Sequence, residues 1–220
     1  MIKIENITKI FHSKHSDVIA LNKINLDVAS GEFLLIKGPS GCGKSTLLFT
    51  LGGMLKPSSG KVYVEGDDLY ALSNRDLLNY RARKMGFVYQ SYHLIPYLNI
   101  LDNILLVNQV GKPVTNRDEV MNLAKQFNLQ DRLTHLPAEL SVGEKQRAAL
   151  MRALVCKPKL LIADEPTGNL DPANSAIIVE HFKQFQEQGG TVIMASHNND
   201  ADELATREIC MQQGEIIDLH

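Results

Sequence analysis

The stretch FLLIKGPSGCGKSTLLFTL, residues 33–51, decides the fold of this chain. Its first four residues are all apolar, as in a strand that is buried on both faces of a parallel sheet. Leucines at positions 47, 48 and 51 follow with the spacing of one helix face. Between them, residues 38–45 match the pattern G-x-x-x-x-G-K-[ST] without a mismatch. A strand, a glycine-rich loop and a helix in this order predict a binding site for phosphate groups.

The residue types of this loop explain that chemistry. Glycines let the backbone curl so that several N–H groups point into one concavity, and the following helix adds its positive N-terminal end. Lys44 is expected to reach the β- and γ-phosphates of a nucleotide, and the Ser45 hydroxyl to bind Mg²⁺. The alternative is a glycine turn without a ligand, which the apolar strand and helix on either side disfavour. We therefore predict nucleotide binding by the consecutive residues Gly38, Pro39, Ser40, Gly41, Cys42, Gly43, Lys44, Ser45 and Thr46.

A second apolar strand, LLIA at residues 160–163, ends in two carboxylates. Asp164 at its tip is expected to hold Mg²⁺ through water. Glu165 is expected to polarise the attacking water as a general base. An Asp-Glu pair could equally begin a helix, but its combination with the phosphate loop favours hydrolysis of a nucleotide.

The hydrophobic pattern of the remaining chain alternates between strands and helices. Residues 2–28 predict antiparallel strands, because apolar and polar residues alternate there. Further strands are predicted at residues 61–65 and 191–195, and helices at residues 120–127, from Ser141 onward and at residues 178–185. This order predicts an α/β fold with a mainly parallel sheet. We expect a single domain over residues 1–220, with the helix-rich residues 91–155 forming a lobe of their own.

Composition excludes several classes of function. The chain has 220 residues, 44% of them hydrophobic, and 23 Lys and Arg against 25 Asp and Glu give a net charge of -2. A basic surface for nucleic acid is therefore not expected. No apolar run approaches the roughly 20 residues of a membrane helix, so we expect a soluble cytosolic chain. Cys42, Cys156 and Cys210 are too far apart for a disulfide framework or a zinc site, and the neighbouring His12 and His15 lack further ligands.

A set of shorter motifs points to one family. The stretch LSVGEKQR at residues 140–147 resembles the LSGGQ signature of ATP-binding-cassette (ABC) ATPases. Gln90 resembles the glutamine of the family's Q-loop, residues 169–171 its D-loop, His197 its switch histidine and Phe11 its adenine-stacking aromatic residue. Taken singly, the signature could be only a helix cap, His197 a loop residue and Phe11 part of the core. The order of six motifs across nearly the whole chain favours the functional interpretation.

The resemblance implies a fold and a mechanism. The fold would be a RecA-like P-loop NTPase core with a mainly parallel sheet, an antiparallel β subdomain and a helical subdomain. Two copies would pair head to tail as a homodimer, with each ATP between the phosphate loop of one subunit and the signature of the other. The implied site residues are Ser141, Gly143, Glu144 and Asp171 at the nucleotide, Gln90 with Ser45 and Asp164 at Mg²⁺, His197 at the γ-phosphate and Phe11 on the adenine.

A finer resemblance concerns the partner. Residues 89–96 and the stretch ADEPTGNLD at residues 163–171 resemble the cassettes of the LolD/MacB/FtsE type. This implies a separate integral-membrane permease of the FtsX/MacB-like type and a peripheral position on the cytoplasmic face of the inner membrane. Two alternatives stay open: a mechanotransmitter that regulates an extracellular enzyme, and a soluble cassette protein that acts on nucleic acid or ribosomes. The near-neutral charge and the single cassette disfavour the second.

The signature departs from the family pattern at two positions. Val142 replaces the usual first glycine, and we expect this β-branched residue to resist a positive φ and to crowd the partner's ATP, which would weaken activity. Glu144 replaces glutamine, which keeps a capping role but adds a charge near phosphate. Phe11 stands where tyrosine is usual and keeps the stacking face.

Overall fold

Strands and helices alternate along the chain after an initial pair of strands. The structure, a computed structural model, describes residues 1–13, 16–110, 115–197 and 200–219, without the side chains of residues 218 and 219. His15, one of the two neighbouring histidines considered above, lies outside these residues. The elements are β1 (Ile2–Phe11), β2 (Val18–Val28), β3 (Phe33–Lys37), α1 (Lys44–Leu51), β4 (Ser59–Val64), β5 (Asp67–Asp68), α2 (Asn74–Lys84), β6 (Met85–Tyr89), α3 (Ile100–Leu105), α4 (Arg117–Gln126), α5 (Val142–Leu154), β7 (Leu160–Asp164), α6 (Pro172–Glu187), β8 (Thr191–Ala195), β9 (Arg207–Gln212) and β10 (Glu215–Leu219).

The larger sheet has six strands in the order β10-β9-β3-β8-β7-β6. Its strands are parallel except for β10, which pairs antiparallel with β9. All of β8 and the first four residues of β3 and β7 are buried, as their continuous apolar runs predict. The predicted α/β fold with a mainly parallel sheet is confirmed. This order also brings the carboxyl ends of β3, β8, β7 and β6 to one end of the sheet.

The smaller sheet is antiparallel, with the order β2-β1-β4-β5. The alternating apolar residues of its first two strands are buried, among them Ile2, Ile4 and Leu26. They share a core with the three leucines of α1 and with one face of the larger sheet. Helix α1 therefore packs in the core that joins the two sheets. The phosphate loop is held at both of its ends, because strand β3 before it and helix α1 after it are both part of this core.

Helices α3, α4 and α5 lie between β6 and β7 in the chain and share a core with the other face of the larger sheet. Val120 and Ala124 form the buried face of α4, as the spacing predicts. Asn116 and Glu119 close a capping box at the start of this helix. These helices fall within residues 91–155, and their behaviour as a separate lobe stays a prediction.

Candidate nucleotide-binding and catalytic site

The phosphate loop connects the end of β3 to the start of α1. Gly38, Gly41 and Gly43 have φ angles of 147°, 77° and 112°, a region in which other residues are strained. A Cβ atom on Gly38 would lie 2.3 Å from the carbonyl oxygen of Met211, and one on Gly43 2.5 Å from that of Ala20. Glycine is therefore required at these two positions by close packing as well as by conformation.

Lys44 is the first residue of α1 and is buried, whereas Ser45 is exposed. The Lys44 Nζ donates hydrogen bonds to the carbonyl oxygens of Gly38, at 2.7 Å, and Pro39, at 3.1 Å. The ammonium is thus held at the turn of the loop that precedes it. Cys42 is buried, so its thiol is part of the packing of the loop. Its carbonyl accepts a hydrogen bond of 2.9 Å from the Gly214 N–H.

A cleft of about 350 Å³ opens in front of this loop. It brings together most of the predicted loop residues with Gln90, Asp164 and Glu165, which come from the carboxyl ends of β6 and β7. Five of its other lining residues were not predicted: Val18, Ile19, Ala20, Gln213 and Gly214. The cleft is lined by Val18, Ile19, Ala20, Ser40, Gly41, Gly43, Lys44, Ser45, Thr46, Gln90, Asp164, Glu165, Gln213 and Gly214.

Asp164 ends β7 and accepts a hydrogen bond from the Ser45 hydroxyl. Burial raises the pKa of the Asp164 carboxyl above its ordinary value, and the negative charge of Glu165 raises it further, while the Ser45 hydrogen bond and the Lys44 charge lower it. The hydroxyl and the carboxylate are thus side by side in the cleft. A carboxylate that has lost part of its hydration is well suited to bind a cation.

Glu165 follows Asp164 in a left-handed conformation, with φ of 47°. Its N–H donates a 2.9 Å hydrogen bond to the carbonyl of Ala195, the last residue of β8. His197, two residues beyond that strand, places its Nδ1 atom 3.1 Å from Oε2 of Glu165. The strand order explains this pair, because β7 and β8 are neighbours and end together.

Gln90 follows β6, whose last residue, Tyr89, pairs with Asp164 of β7. The side chain of Gln90 is exposed and lines the cleft. Its carbonyl accepts a long hydrogen bond, 3.4 Å, from Nδ2 of Asn169 in the predicted D-loop. Gln90 and the segment after Glu165 are therefore neighbours in one subunit.

The signature begins helix α5. Ser141 is its N-cap: its hydroxyl accepts a hydrogen bond from the Glu144 N–H, and the Glu144 carboxylate accepts one from the Ser141 N–H at 2.8 Å. The Glu144 carboxylate also pairs with Arg132 at 2.8 Å. The Ser141 N–H and, to a smaller extent, Arg132 hold the pKa of Glu144 below its ordinary value. The charge that Glu144 adds at the signature is thus paired within the subunit, and the expected capping role is present.

Val142 does not have the strained backbone that we expected. It is the first residue of α5 and is not among the described residues with positive φ. The conformational part of that prediction is wrong, because the position is helical and accepts any L-residue. Its side chain is 47% exposed at the start of the helix, so the expected crowding of a partner's ATP stays a prediction.

Gly143 is buried against α6. A Cβ atom there would lie 2.1 Å from the Asn174 side-chain oxygen, which accepts a 3.1 Å hydrogen bond from Arg147. Asp171 is the N-cap of α6, and its carboxylate accepts hydrogen bonds from the Asn174 backbone N–H and, at 2.6 Å, from its side chain. These bonds lower the pKa of Asp171. The signature and the predicted D-loop are thus packed together.

Phe11 ends β1, is exposed, and pairs across the sheet with Val18. The ammonium of Lys9 lies 5.2 Å from the centroid of its ring. Phe11 itself does not line the cleft described above, but Val18 and Ile19 do, and both are exposed. The sequence signal for this part of the cleft is the apolar pair Val18 and Ile19 at the start of β2, and it was not recognised.

The chain matches the ABC transporter family over residues 21–168. It belongs to that family. The lipoprotein-releasing system ATP-binding protein LolD of Aquifex aeolicus is 40% identical over 99% of this chain and 96% of LolD. The macrolide export ATP-binding/permease protein MacB of Chlorobaculum tepidum is 38% identical over 99% of this chain and 34% of its own length. A solved ATP-binding cassette, dimeric and in a post-hydrolysis state with ADP and phosphate, has a TM-score of 0.93 and 32% identity, over 100% of this chain and 98% of that chain.

As an ABC ATPase, this chain binds and hydrolyses ATP. The predicted residues of the ABC cassette fall into two spatial groups. The phosphate loop, Gln90, Asp164 and Glu165 surround one cleft, with His197 paired to Glu165. Ser141, Gly143, Glu144 and Asp171 do not line that cleft. Within the described residues, no three His, Cys, Asp or Glu side chains converge as a metal site, and no helix is long and apolar enough to cross a membrane.

Proposed function

We propose that this ABC cassette is the ATP-hydrolysing subunit of a transporter and drives a separate membrane permease by closing and opening as a homodimer. The observation that carries the proposal is the separation of the signature from the cleft within one subunit. Both are needed in the mechanism that the family resemblance implies. A head-to-tail pair supplies both at each ATP, whereas a single subunit does not.

The cleft residues have distinct roles in this proposal. The loop N–H groups and the start of α1 bind the phosphates, and Lys44 bridges the β- and γ-phosphates. Glu165 accepts a proton from the attacking water, and its left-handed backbone turns the carboxylate toward His197 at 3.1 Å. His197 in turn donates a hydrogen bond to the γ-phosphate. Phosphoryl transfer depends mainly on such positioning and on neutralised charge.

Mg²⁺ fits the cleft. Mg²⁺ prefers a few hard oxygen ligands together with substrate phosphates. The Ser45 hydroxyl and the Asp164 carboxylate are neighbours, and the exposed Gln90 lines the same cleft. Ser45 and Gln90 would bind the ion directly and Asp164 through water. When bound, Mg²⁺ supplies positive charge that offsets the charge on the transferred phosphoryl group.

The start of α5 is the surface that we assign to the partner's ATP. A helix N-terminus attracts phosphate through its free N–H groups and its dipole, and α5 has 13 residues. Ser141 and the neighbouring Val142 are exposed there, so the surface is open to a second subunit. Gly143 contributes its N–H, and Asp171, the N-cap of α6, binds Asn174 next to it. Phe11, with Val18 and Ile19, would stack on the adenine at the cleft of its own subunit.

The permease is proposed from the relatives. LolD is named as the ATP-binding protein of a lipoprotein-releasing system, and MacB as an ATP-binding/permease protein of which this cassette matches 34%. The MacB name assigns ATP binding and the permease to one chain. The part of MacB that this cassette does not match is therefore where we expect the MacB permease to lie. We infer an FtsX/MacB-like permease for this cassette and peripheral attachment at the cytoplasmic face of the membrane.

Mixing two inactive variants tests the head-to-tail arrangement. Lys44→Ala disables the phosphate loop, and Ser141→Arg disables the signature; each alone should abolish turnover. In an equimolar mixture, half of the dimers have one intact composite site, so turnover should recover to about a quarter of the wild-type value. Absence of recovery, with both variants folded and mixed dimers detected, would contradict a site shared between subunits.

Co-purification tests the permease. The tagged Glu165→Gln variant, extracted from membranes with ATP and Mg²⁺, should retain an integral-membrane protein that Lys44→Ala retains less well. Identification of the retained protein by mass spectrometry gives the permease class. Recovery with RNA or ribosomes and without a membrane protein would contradict the proposal.

A further inference from the structure

Helix α5 carries a glutamine that none of the roles above uses. The side chain of Gln146 is 0% exposed. Its Nε2 donates a hydrogen bond of 2.6 Å to the carbonyl oxygen of Pro166. Pro166 immediately follows Glu165, the proposed general base. The bond therefore joins the signature helix to the segment that carries the catalytic carboxylate.

Glu165 needs such support, because its backbone is strained. Its φ of 47° is left-handed, a conformation that residues other than glycine adopt only at an energetic cost. A following proline further restricts the residue before it and favours extended conformations. Two backbone bonds hold Glu165: its N–H to Ala195 at 2.9 Å, and its carbonyl to the Gly168 N–H at 3.2 Å. The Gln146 amide adds a third restraint, on the next carbonyl along the chain.

Packing alone does not account for a glutamine at this position. The Gln146 Oε1 atom is buried and has no hydrogen-bond partner among the described residues. An unpaired buried oxygen destabilises the folded state, a cost that an apolar side chain of the same size would avoid. Buried alanines and leucines, Ala149 and Leu150, follow on the same helix. The position thus carries a polar group at a cost to stability, and its donor is aimed at the catalytic segment.

We infer that Gln146 is a positioning residue for Glu165. By holding the Pro166 carbonyl, it keeps the Glu165 backbone left-handed and its carboxylate beside His197. Gln146 lies one helical turn after Gly143, so the helix that meets the partner's ATP also orients the general base of its own subunit. This inference rests on the proposed role of Glu165.

The test is a double-mutant cycle in the full chain, measured as single-turnover ATP hydrolysis. Gln146→Met keeps the size of the side chain and removes the donor. We expect it to lower the hydrolysis rate about 10- to 100-fold, as a small misplacement of a catalytic group does, and to leave the KM for ATP unchanged. In a Glu165→Ala background, the same substitution should have almost no further effect, because its action passes through Glu165. Leu150→Met, at a buried position of the same helix, is the matched control and should leave the rate unchanged.

Folding is monitored in parallel. In a Glu165→Gln background, Gln146→Met should still form the ATP-dependent dimer, which shows that the signature and phosphate loop remain assembled. Equal losses of rate with and without Glu165, loss of the dimer, or an unchanged rate in the single variant would each overturn the inference. An unchanged rate in Glu165→Ala would instead remove the general-base assignment, and the positioning role with it.

Discussion

The Nδ1 atom of His197 lies 3.1 Å from Oε2 of Glu165, although the two residues are far apart in the chain. The pair forms because β7 and β8 are adjacent and parallel, so that the residues after both strands emerge at the same end of the sheet. The proposed base, which lines the cleft, and the proposed γ-phosphate ligand are thus in direct contact.

His197→Ala is expected to lower ATP turnover about 100- to 1,000-fold, in the range of losses seen for general acid–base groups, with little change in ATP affinity. The reason is that the histidine acts after binding, on the γ-phosphate and on the orientation of Glu165. Steady-state hydrolysis and equilibrium nucleotide binding measure the two effects. His12→Ala is the control, because His12 forms a similar 2.9 Å pair with Asp17 outside the catalytic residues. Turnover at the wild-type level in His197→Ala would show that this residue takes no part in the mechanism.

Glu165→Gln is expected to trap an ATP-bound dimer. The amide keeps the size of the side chain but accepts no proton, so ATP closes the dimer and hydrolysis does not open it. Size-exclusion chromatography with light scattering, with and without ATP and Mg²⁺, gives the mass. The control is Glu187→Gln at the exposed end of α6, which should not trap an ATP-bound dimer. A Glu165→Gln protein that stays monomeric at saturating ATP would contradict the dimer mechanism.

Lys44→Ala is expected to abolish measurable turnover and to weaken ATP binding. The substitution removes the buried ammonium that now bonds the carbonyls of Gly38 and Pro39 and that we assign to the phosphates. Phosphate release and nucleotide titration are the measurements. Lys183→Ala removes an exposed ammonium on α6 and serves as the control for net charge. Turnover at the wild-type level in Lys44→Ala would reject the phosphate loop as the ATP site.

Val142→Gly tests the steric effect at the signature. If the isopropyl group crowds the partner's ATP, relief worth about 0.5–1 kcal/mol raises turnover roughly two- to five-fold. Glycine also weakens a helix, so the free energy of unfolding should fall by up to about 1 kcal/mol. Hydrolysis assays and urea unfolding separate the two. A loss of stability without any gain in turnover would show that Val142 does not obstruct the ATP.

Glu144→Gln tests the pairing of the signature carboxylate. The folded state lowers the pKa of Glu144 below its ordinary 4.5, so its contribution to stability is fully present at neutral pH and is lost as the pH falls through the lowered value. Glutamine keeps the capping acceptor and loses the partly exposed pair with Arg132, a difference of roughly 0.5 kcal/mol at pH 7. Urea unfolding of both proteins between pH 7 and pH 3 should therefore give curves that converge in acid. A difference that persists at pH 3 would assign the effect to packing.

The elements that could be predicted from sequence are those with a strong pattern. Strands β3, β7 and β8 are continuous apolar runs, and their bounds agree with the predictions within one residue. Helix α5 was located from the capping pair of Ser141 and Glu144. Helix α2 was missed because none of its residues is fully buried and only Leu77 and Tyr80 pack partly against the core, so its apolar pattern is weak. Strands β6, β9 and β10 are interrupted by glycine or charged residues, and their pairing depends on distant parts of the chain.

The same distinction holds for the site. The phosphate loop and the two carboxylates could be found because their chemistry fixes both residue type and spacing. The contributions of Gln213 and Gly214 could not, because they reach the cleft through a turn between β9 and β10 near the end of the chain. Gly214 meets the phosphate loop by a backbone bond to Cys42, which has no sequence signature.

The contact between Gly143 and Asn174 affects how genetic variants of the signature are interpreted. A side chain at Gly143 would displace the side chain of Asn174, since even a Cβ atom would lie 2.1 Å from its Oδ1 atom. A loss-of-function allele at this codon therefore has two causes that its phenotype does not distinguish: a blocked nucleotide and a displaced Asn174 side chain. Suppressor alleles at Asn174 that restore room, such as Asn174→Ala, would separate them, because they relieve the displacement and leave the nucleotide contact unrepaired.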